Sequence, residues 1–403
     1  MPMATERGLA RRGVLRAAAS VALGLPLSAV CAAAPSAAAP SRQRARAPET
    51  PALAACWDDA QGRHWAGVLN SQAGGAWRVA QAVELPTRGH GLLCQPDGSL
   101  WVAARRPGDW LLHLSAKGRP RWHWVEAGRA LCGHVALTPD GRTLLSTEID
   151  LDSGMGVLGL RDAVSGDKHA EYATGGRDPH CVLALAPDDT LWVANGGIDT
   201  ATETGRSKRN LAQMDASIAC LNAHTGAMLG QWRVPDGRLS LRHLAWARTA
   251  AAQWVLGVAL QAEHDAPAER RAAPVHARFD GQTLYASAAQ PAAETRAAPP
   301  LQGYGGSIVT APEGWAVSCT RAGCVAWFNM QGQLTTRMAL SEVCALASAP
   351  DAQSHTTLWA AGQSHSLRQN GEPLTVPPLR VAHAGKLQAA RMDNHWVWAQ
   401  GFE

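Results

Sequence analysis

The chain has 403 residues, and its 37 Lys and Arg nearly balance 33 Asp and Glu, for a formal net charge of +4. That even balance, with no basic runs in the main part of the chain, argues against a nucleic-acid partner. The length suits one large domain or two, and 39 glycines with 24 prolines point to frequent turns.

In chain order, residues 1–39 read as a bacterial twin-arginine export signal. Arg11-Arg12 is followed by Leu15, a weakly apolar run from Ala17 to Val30, and small-residue cleavage options between Ala32 and Ala39. The run falls short of the roughly 20 apolar residues of a spanning helix. A periplasmic protein without a membrane span in its mature chain is therefore expected. Residues 40–51, rich in Pro, Ala, Arg and Ser, read as a disordered spacer.

From residue 52 on, alternation and short apolar runs dominate, and helical periodicity is scarce. Leu53–Trp57 and His64–Leu69 predict a hairpin, and Trp77–Leu85 a third strand. A repeat then begins, each copy a histidine followed by an apolar run. The copies are Arg88-Gly89-His90, Cys132-Gly133-His134, Asp178-Pro179-His180, Leu241-Arg242-His243 and Asp393-Asn394-His395. Three continue to a turn, Pro96-Asp97-Gly98, Pro139-Asp140-Gly141 or Pro187-Asp188-Asp189, and then to a second strand. The first steps are 44 and 46 residues, the period of a four-stranded propeller blade. Further blades start near Tyr304-Gly305-Gly306 and Val343-Cys344, without a histidine. Three strands precede the first repeat and one follows the last, so together they complete one blade. The expectation is an all-β, seven-bladed propeller over residues 52–403, closed by three N-terminal strands plus one C-terminal strand.

In that fold the five histidines would gather at one mouth of the channel. Imidazoles converging there suit Fe, Cu, Zn or Ni. The ligand candidates are His90, His134, His180, His243 and His395, with Glu148 as a nearby carboxylate. Arg88, Arg105, Arg106, Arg177 and Arg242 flank the repeats and are candidates for holding an anion by bidentate bonds. The alternative for the histidines is hydrogen bonding between blades, and for the arginines inter-blade ion pairs with Asp109, Asp178 and Glu148. Cys319 and Cys324 flank a hairpin-like turn, Thr320-Arg321-Ala322-Gly323, and are a possible disulfide. No hydrolase triad, nucleotide-binding loop or His-Glu-x-x-His motif is present, so the catalytic residues, if any, are unknown.

Several segments carry a family resemblance. They include Arg88-Gly89-His90-Gly91, Arg105-Arg106-Pro107-Gly108, Thr138-Pro139-Asp140-Gly141-Arg142, Gly154-Met155-Gly156-Val157-Leu158-Gly159, Ala194-Asn195-Gly196-Gly197-Ile198 and Tyr304-Gly305-Gly306-Ser307. With the histidine repeats they span nearly the whole mature chain, which resembles the family known as domain of unknown function 1513. The resemblance implies a twin-arginine-exported periplasmic propeller, often encoded beside imelysin-type iron-uptake proteins, and no known reaction. Cys181 stands where that family usually has a carboxylate, and Glu148-Ile149-Asp150-Leu151 replaces a more polar run. The expected function is metal or ligand binding, as an accessory of iron or metal acquisition. The alternatives are a metal-dependent oxidoreductase or lactonase-like hydrolase with Glu148 or Asp150 as base, its lactonase form needing Glu148, Asn195 and Asp199 to converge on an ion, and a structural scaffold that docks a partner.

Overall fold

The computed structural model describes residues 52–71, 77–185, 188–200, 207–209, 211–288, 299–350, 356–363, 366–369, 380–383 and 386–399. The export signal, the spacer and Pro187 of one expected turn lie outside the described residues.

The short apolar runs form strands throughout. β1 (Ala52–Asp58), β2 (His64–Ser71) and β3 (Trp77–Leu85) are antiparallel neighbours, as the leading hairpin predicts. β4 (Gly89–Cys94), β5 (Leu100–Ala104), β6 (Trp110–Leu114) and β7 (Pro120–Trp124) form the next sheet. β8 (Arg129–Leu137), β9 (Thr143–Asp150), β10 (Gly156–Asp162) and β11 (Lys168–Ala173) form another. β12 (Pro179–Leu185) and β13 (Thr190–Asn195) lead into a separate small hairpin, β14 (Asp199–Thr200) with β15 (Lys208–Arg209). β16 (Ser217–Asn222) and β17 (Met228–Trp232) then complete the sheet of β12 and β13.

β18 (Leu239–Arg248), β19 (Trp254–Ala262), β20 (His276–Phe279) and β21 (Leu284–Ala286) follow, with the six-residue helix α1 (Pro267–Ala272) between β19 and β20. β22 (Ser307–Ala311), β23 (Gly314–Cys319), β24 (Cys324–Asn329) and β25 (Leu334–Ala339) make a further four-stranded sheet. β26 (Ala345–Pro350), β27 (Thr356–Ala361) and β28 (Ser366–Gln369) make a three-stranded one. β29 (Arg380–His383), β30 (Lys386–Ala389) and β31 (Arg391–Trp398) end the chain.

The fold is an all-β propeller with six full blades, five of four strands and one of six. Seven were expected. The segment assigned to the remaining blade pairs three strands, and residues 370–379, which would follow them, lie outside the described residues.

The expected closure is present. β31 pairs antiparallel with β1, Leu53 opposite Trp398 and Ala54 opposite Val397, so the innermost strand of the N-terminal sheet comes from the C-terminus. That sheet runs β30-β29-β3-β2-β1-β31. It is wider than expected because β29 adds to β3 in parallel, Val381 opposite Trp77, and β30 folds back on β29.

Neighbouring sheets are held by buried aliphatic and tryptophan side chains. Leu100, Trp101, Val102 and Leu112 pack with Leu131, Val135 and Leu144 of the next sheet. Tryptophan adds a polar tie, since a buried indole N–H needs an acceptor. Trp101 donates to the carbonyl of Ala163 (3.3 Å) and Trp315 to that of Ala245 (2.9 Å), both in adjacent sheets. At the closing sheet Trp77 meets Trp359 and Trp396 edge-on, each at 5.4 Å between ring centroids. Among the described residues no helix is long and apolar enough to cross a membrane.

Candidate metal centre

Five innermost strands bring the repeat histidines together: His90 on β4, His134 on β8, His180 on β12, His243 on β18 and His395 on β31. Adjacent rings are close, with centroids 4.5 Å apart for His90–His395, 4.6 Å for His180–His243, 4.7 Å for His243–His395 and 5.0 Å for His90–His134.

The backbone reason is a β-bulge in each of these strands. The pairing register breaks between Gly89 and Leu92, Leu131 and Val135, Pro179 and Cys181, and Leu241 and Leu244. In β31 it breaks where Ala55 faces Trp396 and Trp57 faces Met392. Every one of the five histidines falls inside its break. The inner strands without a histidine, β22 and β26, pair with their neighbours in unbroken register. A bulge turns a side chain out of the ordinary up–down alternation, and here it is used wherever an imidazole occurs. Glycine then lets the strands approach. A Cβ on Gly91 would run into the Gly133 carbonyl, and one on Gly133 would come 2.9 Å from the His90 ring. Gly133 also has φ +106°, which a side chain would strain.

Four of the rings are buried and His134 is half-buried. Burial pushes all five imidazoles below their ordinary pKa, and His90 falls to about 4 despite its hydrogen bond to Asp393. They are therefore neutral near pH 7 and carry lone pairs. Two sets, His90 with His134 and His180, and His134 with His243 and His395, each place three ring nitrogens within 4.8 Å of one another. Ligand nitrogens about 2.0–2.1 Å from a tetrahedral ion stand about 3.4 Å apart, so a small closing movement would complete either set. The Nε2 atoms of His134 and His395 are buried without a hydrogen-bond partner, which favours the second set. His134 belongs to both.

The surroundings orient the rings. Asp393 accepts a hydrogen bond from Nδ1 of His90 (3.3 Å), leaving the His90 Nε2 lone pair free. A carboxylate behind a ligand imidazole is a recurring support in metal sites. Burial alone would raise the Asp393 pKa. The His90 hydrogen bond and the charges of Arg105 and Arg88 instead hold it far below the usual carboxylate range. Arg242 donates to Nδ1 of His180 (3.4 Å), so His180 carries its proton on Nε2 and donates that N–H to Nε2 of His243 (3.2 Å). Both nitrogens of His180 are thus engaged, which again favours the second set, where His243 would exchange this hydrogen bond for the ion. Asp178 binds both Arg242 (2.7 Å) and Arg106. The rings of His90, His180 and His243, with Arg105, Arg106, Arg242, Gln261, Tyr304 and Asn394, line a cavity of about 30 Å³, room for an ion and a water or two.

Other expected site residues lie elsewhere. Glu148 is fully buried within its own sheet, bonded to Ser146 (2.6 Å), Lys168 (2.7 Å) and Arg161 (3.1 Å). Two cations hold it, so it is a structural anion and not a ligand beside the histidines. Asp199 pairs with Arg209 and Glu263 with Lys208. Asn195 donates to the Thr174 carbonyl. The carboxylate set of a lactonase-like site is thus dispersed among separate partners. Arg88, Arg105, Arg106 and Arg242 surround the two buried aspartates, whereas Arg177 lies against Gly154 and lines neither mouth cavity.

Cys319 and Cys324 face each other in register across β23 and β24, but both are free thiols. Directly opposed strand residues keep Cβ atoms about 4.5–5.5 Å apart, beyond the roughly 3.8 Å of a disulfide. The hydrogen bond between them, with burial, pushes the Cys319 thiol up, and the same hydrogen bond lowers that of Cys324.

Asp393 was not singled out from the sequence. Its signal was available, because it stands two residues before a repeat histidine, as Asp178 does.

The family described as "Protein of unknown function (DUF1513)" matches residues 83–399, a span that includes all five histidines. No curated protein matches the chain. Among solved structures, one titled "Kuenenia stuttgartiensis Hydrazine Synthase" is similar, with a TM-score of 0.53 and 12% identity over 82% of this chain and 99% of that one. At that identity the likeness speaks for the propeller fold alone. The family match covers most of the chain, and the protein belongs to the DUF1513 family.

Proposed function

We propose that this propeller is a metal-binding protein that holds a transition-metal ion on the histidine pentad at its channel mouth. The observation that carries the reading is the coincidence of five bulged inner strands with five converging neutral imidazoles. Neutral nitrogen donors suit Zn, Cu and Fe, and hydrogen bonds from Asp393 and Arg242 behind the rings fix the orientation of His90 and His180. Export to the periplasm and partnership with imelysin-type iron-uptake proteins, which the family resemblance implies, would give the ion a role in metal acquisition. The proposal includes a seven-membered ring, with β26–β28 as its incomplete blade. Its support is that β26 lies beside both β22 and β31.

The test is titration of metal-free protein with Zn²⁺, Cu²⁺ and Fe²⁺, followed by elemental analysis after gel filtration. One ion per chain is expected. His134→Ala should remove it, because His134 serves both ligand sets, whereas His276→Ala, on a buried histidine outside the pentad, should keep it in the folded fraction. No stoichiometric metal in wild type, or full retention by His134→Ala, would overturn the reading.

A further inference from the structure

Beside the histidine cavity lies a second, wider depression of about 480 Å³, lined by Arg88, Arg105, Arg106, Arg129 and the 107–109 turn. Arg105 and Arg106 line both spaces, so the two are joined through their guanidiniums.

Four guanidiniums, Arg88, Arg105, Arg106 and Arg242, meet two buried carboxylates, Asp393 and Asp178, and the exposed Asp109 lines the outer depression. Asp58 offsets Arg88 only weakly, at 4.0 Å. Asp393 already receives His90 at 3.3 Å and Arg88 at 2.8 Å, and Arg105 comes no nearer to it than 3.8 Å. Among the described residues Arg105 makes no side-chain hydrogen bond, and one fifth of its side chain is exposed. It thus presents a planar fork of uncommitted donors at the junction of the two spaces. A divalent ion on neutral imidazoles would add two positive charges beside that open fork, and an anion that reaches both would offset them.

We propose that the arginine-lined mouth binds a small polycarboxylate, which docks one carboxylate on Arg105 and Arg106 and offers another oxygen to the ion on the histidine pentad. This rests on the metal-binding reading for its second contact, but not for its first. Arginine forks match carboxylate geometry, and the depression is several times larger than an inorganic oxyanion, which favours an organic anion carrying more than one carboxylate. The pentad would then hold the ion, and the anion would share it as a further ligand.

Calorimetry with citrate as the probe, on metal-free and on Zn²⁺-loaded full-length protein, tests it. Inorganic phosphate is the competing arm. Citrate is expected to bind the metal-free protein at one site, and more tightly once metal is loaded, with the metal retained after gel filtration. Arg105→Gln should weaken citrate about tenfold or more, the scale of one lost charge-assisted hydrogen bond or two. Arg105→Lys, with the charge but not the fork, should fall between. Absence of citrate binding to either form, equal binding by Arg105→Gln, or tighter binding of phosphate than of citrate would each overturn the proposal. Metal titration in anion-free buffer separates the two readings. Its failure with citrate binding intact sinks the metal site alone, and its success without citrate binding sinks the polycarboxylate alone.

Discussion

Each imidazole of the pentad is worth more neutral than charged, and this has a signed consequence for stability. His90 titrates at about 4 in the fold and near 6.5 when unfolded, because burial disfavours its cation. Its four companions shift in the same direction. They face Arg105, Arg106 and Arg242, which oppose protonation, and Asp393, which favours it. Between those two pH values the unfolded chain binds protons that the folded chain does not. Stability is therefore complete above about pH 6.5 and falls as pH drops toward 4, by up to about 1.4 kcal/mol per pH unit for each histidine. Urea unfolding of metal-free protein at pH 7.5, 6 and 5 measures this, and a pH-independent midpoint would contradict the buried, neutral assignment. Asp393→Asn probes the support behind His90. Because His90 is outside the favoured set, the loss in metal affinity should stay below the 10- to 100-fold typical of a group behind a direct ligand, with the ion still bound at one per chain. A larger loss would move the ion to His90, His134 and His180. The histidine alignment could be read from sequence because the repeat is local and regular. The role of Asp393 could not, since its partners Arg88, Arg105 and His90 lie about 300 residues away.

At the scale of strands, the sequence foretold where the strands are better than what they point at. Periodicity places a residue on one side of a sheet or the other, and a bulge breaks that rule locally. The five breaks in register are pairing events between two strands, so no single strand announces them. Glu148 shows the same limit. Its position after an apolar run resembles that of a ligand, yet Gly159 on the neighbouring strand leaves room for its carboxylate, and Arg161 and Lys168 converge on it from β10 and β11. Removing Glu148 takes away the buried member of the cluster, but Arg161 keeps Glu126, and Lys168 keeps Glu126 and Glu171. Glu148→Ala should therefore lower stability by about 1–3 kcal/mol, the scale of buried groups that lose one charged hydrogen-bond partner, while the folded fraction still binds metal at wild-type stoichiometry. Loss of the metal with stability unchanged would return Glu148 to the site.

Over the whole molecule, the pentad and the ring closure are one arrangement. Leftover strands at the two ends were enough to foresee that β31 would join β1, because an unclosed propeller leaves edges open to pairing. The parallel addition of β29 was not foreseeable, since only two residue pairs define it and its segment has no strong alternation. Closure brings His395, and with it Asp393, to the other four histidines. An ion held by His134, His243 and His395 would therefore tie β31 to β8 and β18, and so clamp the seam where the two ends of the propeller chain meet. Ligand binding stabilises the folded state by about 2.7 kcal/mol at a hundredfold excess over Kd. The gain should concentrate where the clamp acts. Hydrogen exchange of metal-loaded against EDTA-treated protein should show added protection in β31 and β1, larger than in β24 and β25, which lie away from the histidines. Equal changes in both regions, or none, would mean that the imidazoles do not bind an ion across the seam.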